Sequence, residues 1–262
     1  MNLSISNIAW VAEKDSAVYQ IMHDFGFTGL EIAPTRIFPE QPYEKLEDAG
    51  KWAEELKRNN GFSVPSMQSI WYGRQEKIFG SAEERQALVD YTKKAIDFAE
   101  TIGCKNLVFG CPRNRNLPDG VDPSIAVSFF KEIGDYAAQH HTTIGMEANP
   151  PIYNTNFVNT TEQAIHLIRE VGSAGFKLNL DLGTMIYNNE DVSILKGSVE
   201  LINHVHISEP GLKLIEKRPI HLDLATFLKA AGYQGFVSIE MGRQDELQVI
   251  ESACSYVKEI FG

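Results

Sequence analysis

The sequence predicts an α/β fold, a single-domain (β/α)8 barrel of the TIM-barrel type, on three observations. Eight short β-rich runs recur along the chain. Amphipathic segments with helical periodicity lie between them, and 262 residues are the length such a barrel needs.

The candidate strands, in order, are LSISNIAW (3–10), GLEIAP (29–34), FSVPSMQSI (62–70), KNLVFGCP (105–112), TIGMEAN (143–149), KLNLDLG (177–183), INHVHIS (202–208) and GFVSIEM (235–241). After the third, Ser81 followed by Glu84 is a capping-box pattern. Leu88, Tyr91, Ala95, Phe98 and Ile102 then recur at three- and four-residue steps, which predicts a helix. Asp122 with Pro123 marks the next helix start, feeding Ala126, Phe130, Ile133 and Ala137. Thr160 with Gln163 opens another through Ile165, Ile168 and Val171, and the closing helix carries Leu247, Ile250, Cys254 and Val257. A doubly wound open sheet would want a Gly-rich phosphate turn after an early strand, and GLEIAPTRI offers none. No low-complexity linker, charge block or composition shift divides the chain, so residues 1–262 read as one domain.

Composition narrows the function. A formal net charge of −11 disfavours nucleic acid and anionic membrane as partners. Cys104, Cys111 and Cys254 have no metal-site spacing and read as reduced thiols. The N-terminus lacks a signal-peptide pattern and no apolar run approaches the roughly 20 residues of a membrane span. A cytoplasmic protein is expected.

Strand parity then singles out a site. Alternate strand residues point into a barrel's lumen or out to its helices. With Met146, Leu180, Val205, Ile207, Val237 and Ile239 outward, the inward residues are Glu147 and Asn149, then Asn179 and Asp181, then His204, His206 and Ser208, then Ser238 and Glu240. Each of the last four strands therefore aims a metal-competent side chain inward near its C-terminal end, where barrel active sites form. Three crowded carboxylates repel one another unless a cation offsets them. Glu147, Asp181, His206 and Glu240 accordingly read as ligands of one divalent ion, with Mn²⁺ first and Mg²⁺, Co²⁺ or Zn²⁺ also suited; no thiolate points to structural zinc. The four are 34, 25 and 34 residues apart, each close to one βα unit. His204 lies one pleat deeper and reads as a hydrogen-bonded core histidine in preference to a direct ligand. The bland alternative is a set of buried ion pairs, with Lys177 as partner of Asp181.

GMEAN, NLDLG, HVHIS and VSIEM resemble the corresponding segments of the sugar isomerase/epimerase branch of the xylose isomerase-like TIM barrels. HLDLATFLKAAGYQGFVSIEM is similar to the end of that family. The resemblance implies a single metal held by Glu147, Asp181, His206 and Glu240, with Glu147 and Glu240 doubling as the catalytic acid/base pair on opposite faces of a bound sugar. Proton removal beside a ketone creates an enediolate that a metal stabilises. Return of the proton to the same or the neighbouring carbon gives epimerisation or isomerisation. The substrate side departs from the pattern: Thr184 stands where members carry histidine, Tyr153 where ketose epimerases have a further acid, and Leu212 and Lys213 where some have arginine. Thr184 also disfavours the three-metal endonuclease relatives.

Substrate contacts are expected from Asn149, His221, Arg113 and Trp71. For His221 a helix-start or surface role is the alternative, for Arg113 and Arg115 solvated loop charge, and for Trp71, Trp10 and Phe38 core or lid packing. Glu31, inward by parity, is read as holding a cationic neighbour and not metal. The expected partner is a small carbohydrate, with self-association into a homo-oligomer left open. Dehydration of a keto-polyol such as a keto-inositol, or sugar binding without turnover, are the competing functions.

Overall fold

In the computed structural model, which describes residues 1–262, short buried strands alternate with longer helices. β1 (Asn2–Ser6), β2 (Gly29–Glu31), β3 (Leu107–Phe109), β4 (Ile144–Met146), β5 (Phe176–Asp181), β6 (Ile202–Ile207) and β7 (Phe236–Ile239) form one parallel sheet in the order β2-β1-β7-β6-β5-β4-β3. Each strand from β3 to β7 lies beside its sequence neighbour, and β7 returns to β1, as successive βα crossovers winding round a barrel require.

Seven regular strands are found where eight were expected. The missing one, at 62–70, survives as backbone pairing: Ser63 bridges Gly29, and Met67 bridges both Ile32 and Leu107. This segment fills the gap between β2 and β3 and closes the ring. Its irregularity has a local cause, because Pro65 has no N–H to give to a ladder and Ser69 turns into the left-handed region at φ 55°.

The helices are α1 (Asp15–Asp24), α2 (Pro34–Ile37), α3 (Leu46–Asn60), α4 (Ala82–Thr101), α5 (Ser124–Gln139), α6 (Thr161–Val171), α7 (Leu182–Asn188), α8 (Pro219–Ala230) and α9 (Leu247–Phe261). The expected capping box forms, the Ser81 hydroxyl accepting the Glu84 N–H at 3.2 Å while the Glu84 carboxylate accepts the Ser81 N–H at 2.9 Å, and at the expected helix start Thr160 with Gln163 makes the same exchange. Asp122 starts α5 by accepting from the Ser124 N–H at 2.9 Å. No helix is long and apolar enough to cross a membrane.

One contiguous cluster of 64 buried apolar residues joins the outer face of the sheet to the helices, so a single core serves the whole chain. The lumen is different. Ser4, Ser6, Glu31, Gln68, Asn106, Asn179, His204, His206 and Ser238 are all buried there, and polar groups enclosed in this way must find one another.

Candidate metal centre

The β5–β6 ladder sets the levels of the site. Asn179 pairs with His204 and Asp181 with His206, which in turn pairs with Ser238 of β7. Asp181 and His206 thus share the upper level, one pleat above Asn179 and His204. Glu147 and Glu240 stand just past β4 and β7, where their amides still donate to the neighbouring strands, to Phe109 O at 3.1 Å and Ile207 O at 3.0 Å. Extended backbone at these positions carries both carboxylates to the C-terminal mouth.

There the side chains converge on one imidazole. His206 Nδ1 lies 3.1 Å from Glu147 Oε1 and 3.3 Å from Glu240 Oε2. The ligand atoms of these three residues all fall within 4.8 Å of one another. His206 Nε2 points the other way, 2.9 Å from Glu31 Oε2, an oxygen also 3.1 Å from His204 Nε2. Carboxylates only accept, so each ring nitrogen donates to one: Glu31 holds Nε2, and Nδ1 faces Glu147 and Glu240, where loss of its proton would free it as a ligand. His204 sits below, buried, and burial lowers its pKa towards the neutral ring.

Asp181 stands beside this group and is not within it. Its Oδ1 accepts the Gly183 N–H at 2.7 Å, capping α7, and also accepts from the Ser208 hydroxyl; its Oδ2 faces the Thr184 hydroxyl at 3.4 Å. Burial first, then the charges of Glu147 and Glu240, push the Asp181 carboxyl up to about 7. Burial also raises Glu240, with His206 offsetting part of the rise. For His206, burial works against the charged form, but Glu31 and Glu240 outweigh it and hold the ring well above its usual range. Glu31 is the converse: burial would raise it, and His206 and His204 hold it well below. A single imidazolium thus faces several buried carboxylates, an excess of negative charge that a divalent ion would neutralise. The residues fit such an ion, by donor chemistry and by this unbalanced charge. Lys177, near the start of β5, forms no ion pair with Asp181; the buried ion pairs present centre on His206 instead, with Glu31, Glu147 and Glu240.

A cavity of about 430 Å³ opens over the carboxylates. Its walls include Glu147, Asp181, Glu240, Asn149, Trp71 and Arg113.

The sequence matches the family model described as Xylose isomerase-like TIM barrel over residues 19–260. The chain belongs to that family. No curated protein matches it. Among solved structures it is similar to a D-psicose 3-epimerase crystallised with D-fructose, at TM-score 0.80, 15% identity and 100% coverage of both chains. It is also similar to D-psicose 3-epimerase from Clostridium cellulolyticum H10 with D-tagatose, at TM-score 0.81, 14% identity and coverage of 100% of this chain and 99% of that one. A third is 3-keto-D-glucoside 4-epimerase from E. coli, at TM-score 0.76, 18% identity and 99% coverage of both. At these identities the likeness is one of fold.

Around the centre of this xylose isomerase-like barrel, the other expected residues separate. Asn149 lines the cavity and donates from Nδ2 to Glu147 Oε2 at 3.0 Å. Arg113 is exposed at the rim. Trp71 offers the cavity only an edge, being 4% exposed, with Nε1 donating to the Thr92 hydroxyl at 2.8 Å and its ring set against Phe109. His221 is the correction: it is fully buried on α8, with Nδ1 2.8 Å from the Tyr256 hydroxyl of α9, and does not line the cavity. Its place three residues into a helix start explains the error, since the imidazole turns onto the neighbouring helix instead of up to the mouth. Trp10 and Phe38 also lie off the cavity, Trp10 donating to Asp15 and Phe38 meeting Phe98 edge-on. Arg115, read as a loop charge, is completely buried. Residues not singled out for the site include Asn179, whose Nδ2 donates to Glu147 Oε1 at 2.9 Å, and Ser208, the partner of Asp181. Inward parity on the strands was the signal for both. Tyr153 lines the cavity, with its hydroxyl accepting the Gly211 N–H at 2.9 Å.

Proposed function

We propose that this chain is a divalent-metal-dependent isomerase or epimerase that moves a proton beside the carbonyl of a sugar or keto-sugar. The observation that carries the reading is that Glu147 and Glu240, from the ends of β4 and β7 and both on the wall of one cavity, approach the same nitrogen of the buried His206. The solved structures of similar fold include epimerases of sugars, which supports the substrate class.

Glu147, Asp181, His206 and Glu240 would hold the ion, Mn²⁺ first among the candidates. When bound, the ion supplies electrostatic stabilisation of the negative charge that develops on the substrate's oxygens. The chain's residues do the rest. Two carboxyl groups from strands on either side of Asp181 and His206 address opposite sides of a ligand between them: one accepts the proton from carbon and the other returns one. Asn149 and Tyr153 offer polar groups on the cavity wall for sugar hydroxyls. A volume near 430 Å³ suits a ligand of hexose size.

Incubating the Mn²⁺-loaded protein with a panel of ketoses in D₂O tests the proposal. Deuterium at the carbon beside the carbonyl, with an epimeric or isomeric product, is expected. Loss of water from the product would assign the chain to dehydration instead. A ketose that binds without any exchange would leave a sugar-binding protein and overturn the enzymatic reading.

A further inference from the structure

We infer that Arg115 is a positioning residue for Glu147, acting through the amide of Asn149. The inference rests on the assignment of Glu147 to the metal centre.

Arg115 follows the short turn Pro112–Asn114 after β3 and is 0% exposed. All of its polar partners are neutral. Nη1 donates to the Glu147 carbonyl at 2.8 Å, Nη2 donates to Asn149 Oδ1 at 2.9 Å and to the Val158 carbonyl at 3.3 Å, and Nε has no partner. Burial lowers its pKa to about 10, which leaves it charged at neutral pH. Enclosing a guanidinium with no carboxylate bonded to it is costly, the Glu147 carboxylate offsetting only part of the burial, and an apolar side chain would fill the same space without that cost. The charge therefore calls for a role beyond packing.

Its geometry supplies one. Arginine has five donors and no acceptor, so the Asn149 amide must turn its oxygen to Arg115 and its Nδ2 to Glu147 Oε2, 3.0 Å away. A free asparagine could flip, whereas this one cannot without setting donor against donor. The other oxygen of Glu147 is fixed by Asn179 Nδ2 at 2.9 Å, and Asn179 is itself held by Asn106 Nδ2 at 3.1 Å. Amide donors on both sides thus set the plane of the Glu147 carboxylate, leaving Oε1 towards His206. One guanidinium grips both the backbone carbonyl of Glu147 and, through Asn149, its side chain. Gly110 makes room for this, since a Cβ there would lie 2.9 Å from Glu147 Oε2 and 3.4 Å from Asn149 Oδ1.

The test compares Arg115→Lys, Asn149→Ser and the double variant with the wild type, each checked for folding by circular dichroism and thermal melting. Mn²⁺ affinity is read from the electron paramagnetic resonance of the free ion. Lysine keeps the charge but loses the fork that grips both partners. Each single change is expected to weaken Mn²⁺ binding roughly 10- to 100-fold, and Arg115→Lys, which lies off the cavity wall, to lower kcat for exchange more than it alters KM. Because both cut the same chain of contacts, the double variant should bind no more weakly than the weaker single. A folded single variant with affinity within about twofold of wild type, or losses that multiply in the double, would overturn the inference. If Arg115→Lys does not fold, Asn149→Ser decides alone, for it leaves the bonds from Arg115 to the Glu147 and Val158 carbonyls in place. Wild-type protein that binds no divalent ion would strike down the metal reading instead. The crystal structure of Asn149→Ser then judges the positioning role by itself: a rotated Glu147 carboxylate supports it, and an unmoved one ends it.

Discussion

Glu147 and Glu240 sit at matching places on their strands but are held differently. Amides from Asn149 and Asn179 donate to the two oxygens of Glu147, while the hydrogen-bond and ion-pair contact of Glu240 is with His206 alone, at 3.3 Å. A glutamine at 147 would bring an NH₂ group against one of those two donors and disturb the network. A glutamine at 240 meets no such conflict, and it resembles the protonated form towards which burial already shifts Glu240. Both Glu147→Gln and Glu240→Gln are expected to lose at least 10²-fold in deuterium exchange, as removal of a general acid or base does. The Mn²⁺ dissociation constant should rise more for Glu147→Gln; equal affinities measured by titration would contradict the asymmetry. At this scale the sequence was legible wherever a strand supplied a two-residue rhythm, which put Glu147, Asp181, His206 and Glu240 at one end of the lumen. It was silent where loops decide. Nothing local distinguishes Arg113 from Arg115, yet one reaches the rim and the other folds beneath the end of β4. The grip of Glu31 on two histidines depends on the closure of the barrel, which brings β2 opposite β6.

Helix starts were readable for a local reason, since a capping box closes within four residues and needs no tertiary partner. The third strand was not, because Pro65 and Ser69 interrupt its ladder while the gap between β2 and β3 still forces Ser63 and Met67 to pair. Element packing also imposes demands that a hydrophobic pattern conceals. Where α5 crosses the start of β5, a Cβ on Gly175 would lie 2.1 Å from the Gly134 carbonyl oxygen and 2.6 Å from the Ala138 nitrogen. Both are backbone atoms of α5, so no side chain can swing aside. Gly175→Ala should therefore destabilise the protein by about 1–3 kcal/mol, the usual range for overpacking. Urea denaturation would reveal the loss as a lower midpoint with unchanged slope. A midpoint equal to wild type would mean that the helix shifts freely on the sheet.

For the molecule as a whole, folding itself assembles the centre. Glu147, Asp181, His206 and Glu240 come from four consecutive strands, β4 to β7, and the unfolded chain holds no comparable site. An ion that binds only the folded state stabilises it by mass action, by about 2.7 kcal/mol at a hundredfold excess over Kd. For a protein of this size that corresponds to a rise in Tm of roughly 5–10 °C. Adding Mn²⁺ to chelator-treated protein should produce such a rise, and His206→Ala should lack it. The same centre is costly when empty of metal, because Asp181 is buried against Glu147 and Glu240. Asp181→Asn keeps the shape and removes the charge, so without metal it should melt above the wild type, while with Mn²⁺ the order should reverse. Differential scanning calorimetry with and without the ion reads both comparisons. If Asp181→Asn melts below wild type in the absence of metal, the carboxylate is stabilised by its hydrogen bonds to Gly183 and Ser208, and repulsion among the carboxylates is not what governs this end of the barrel.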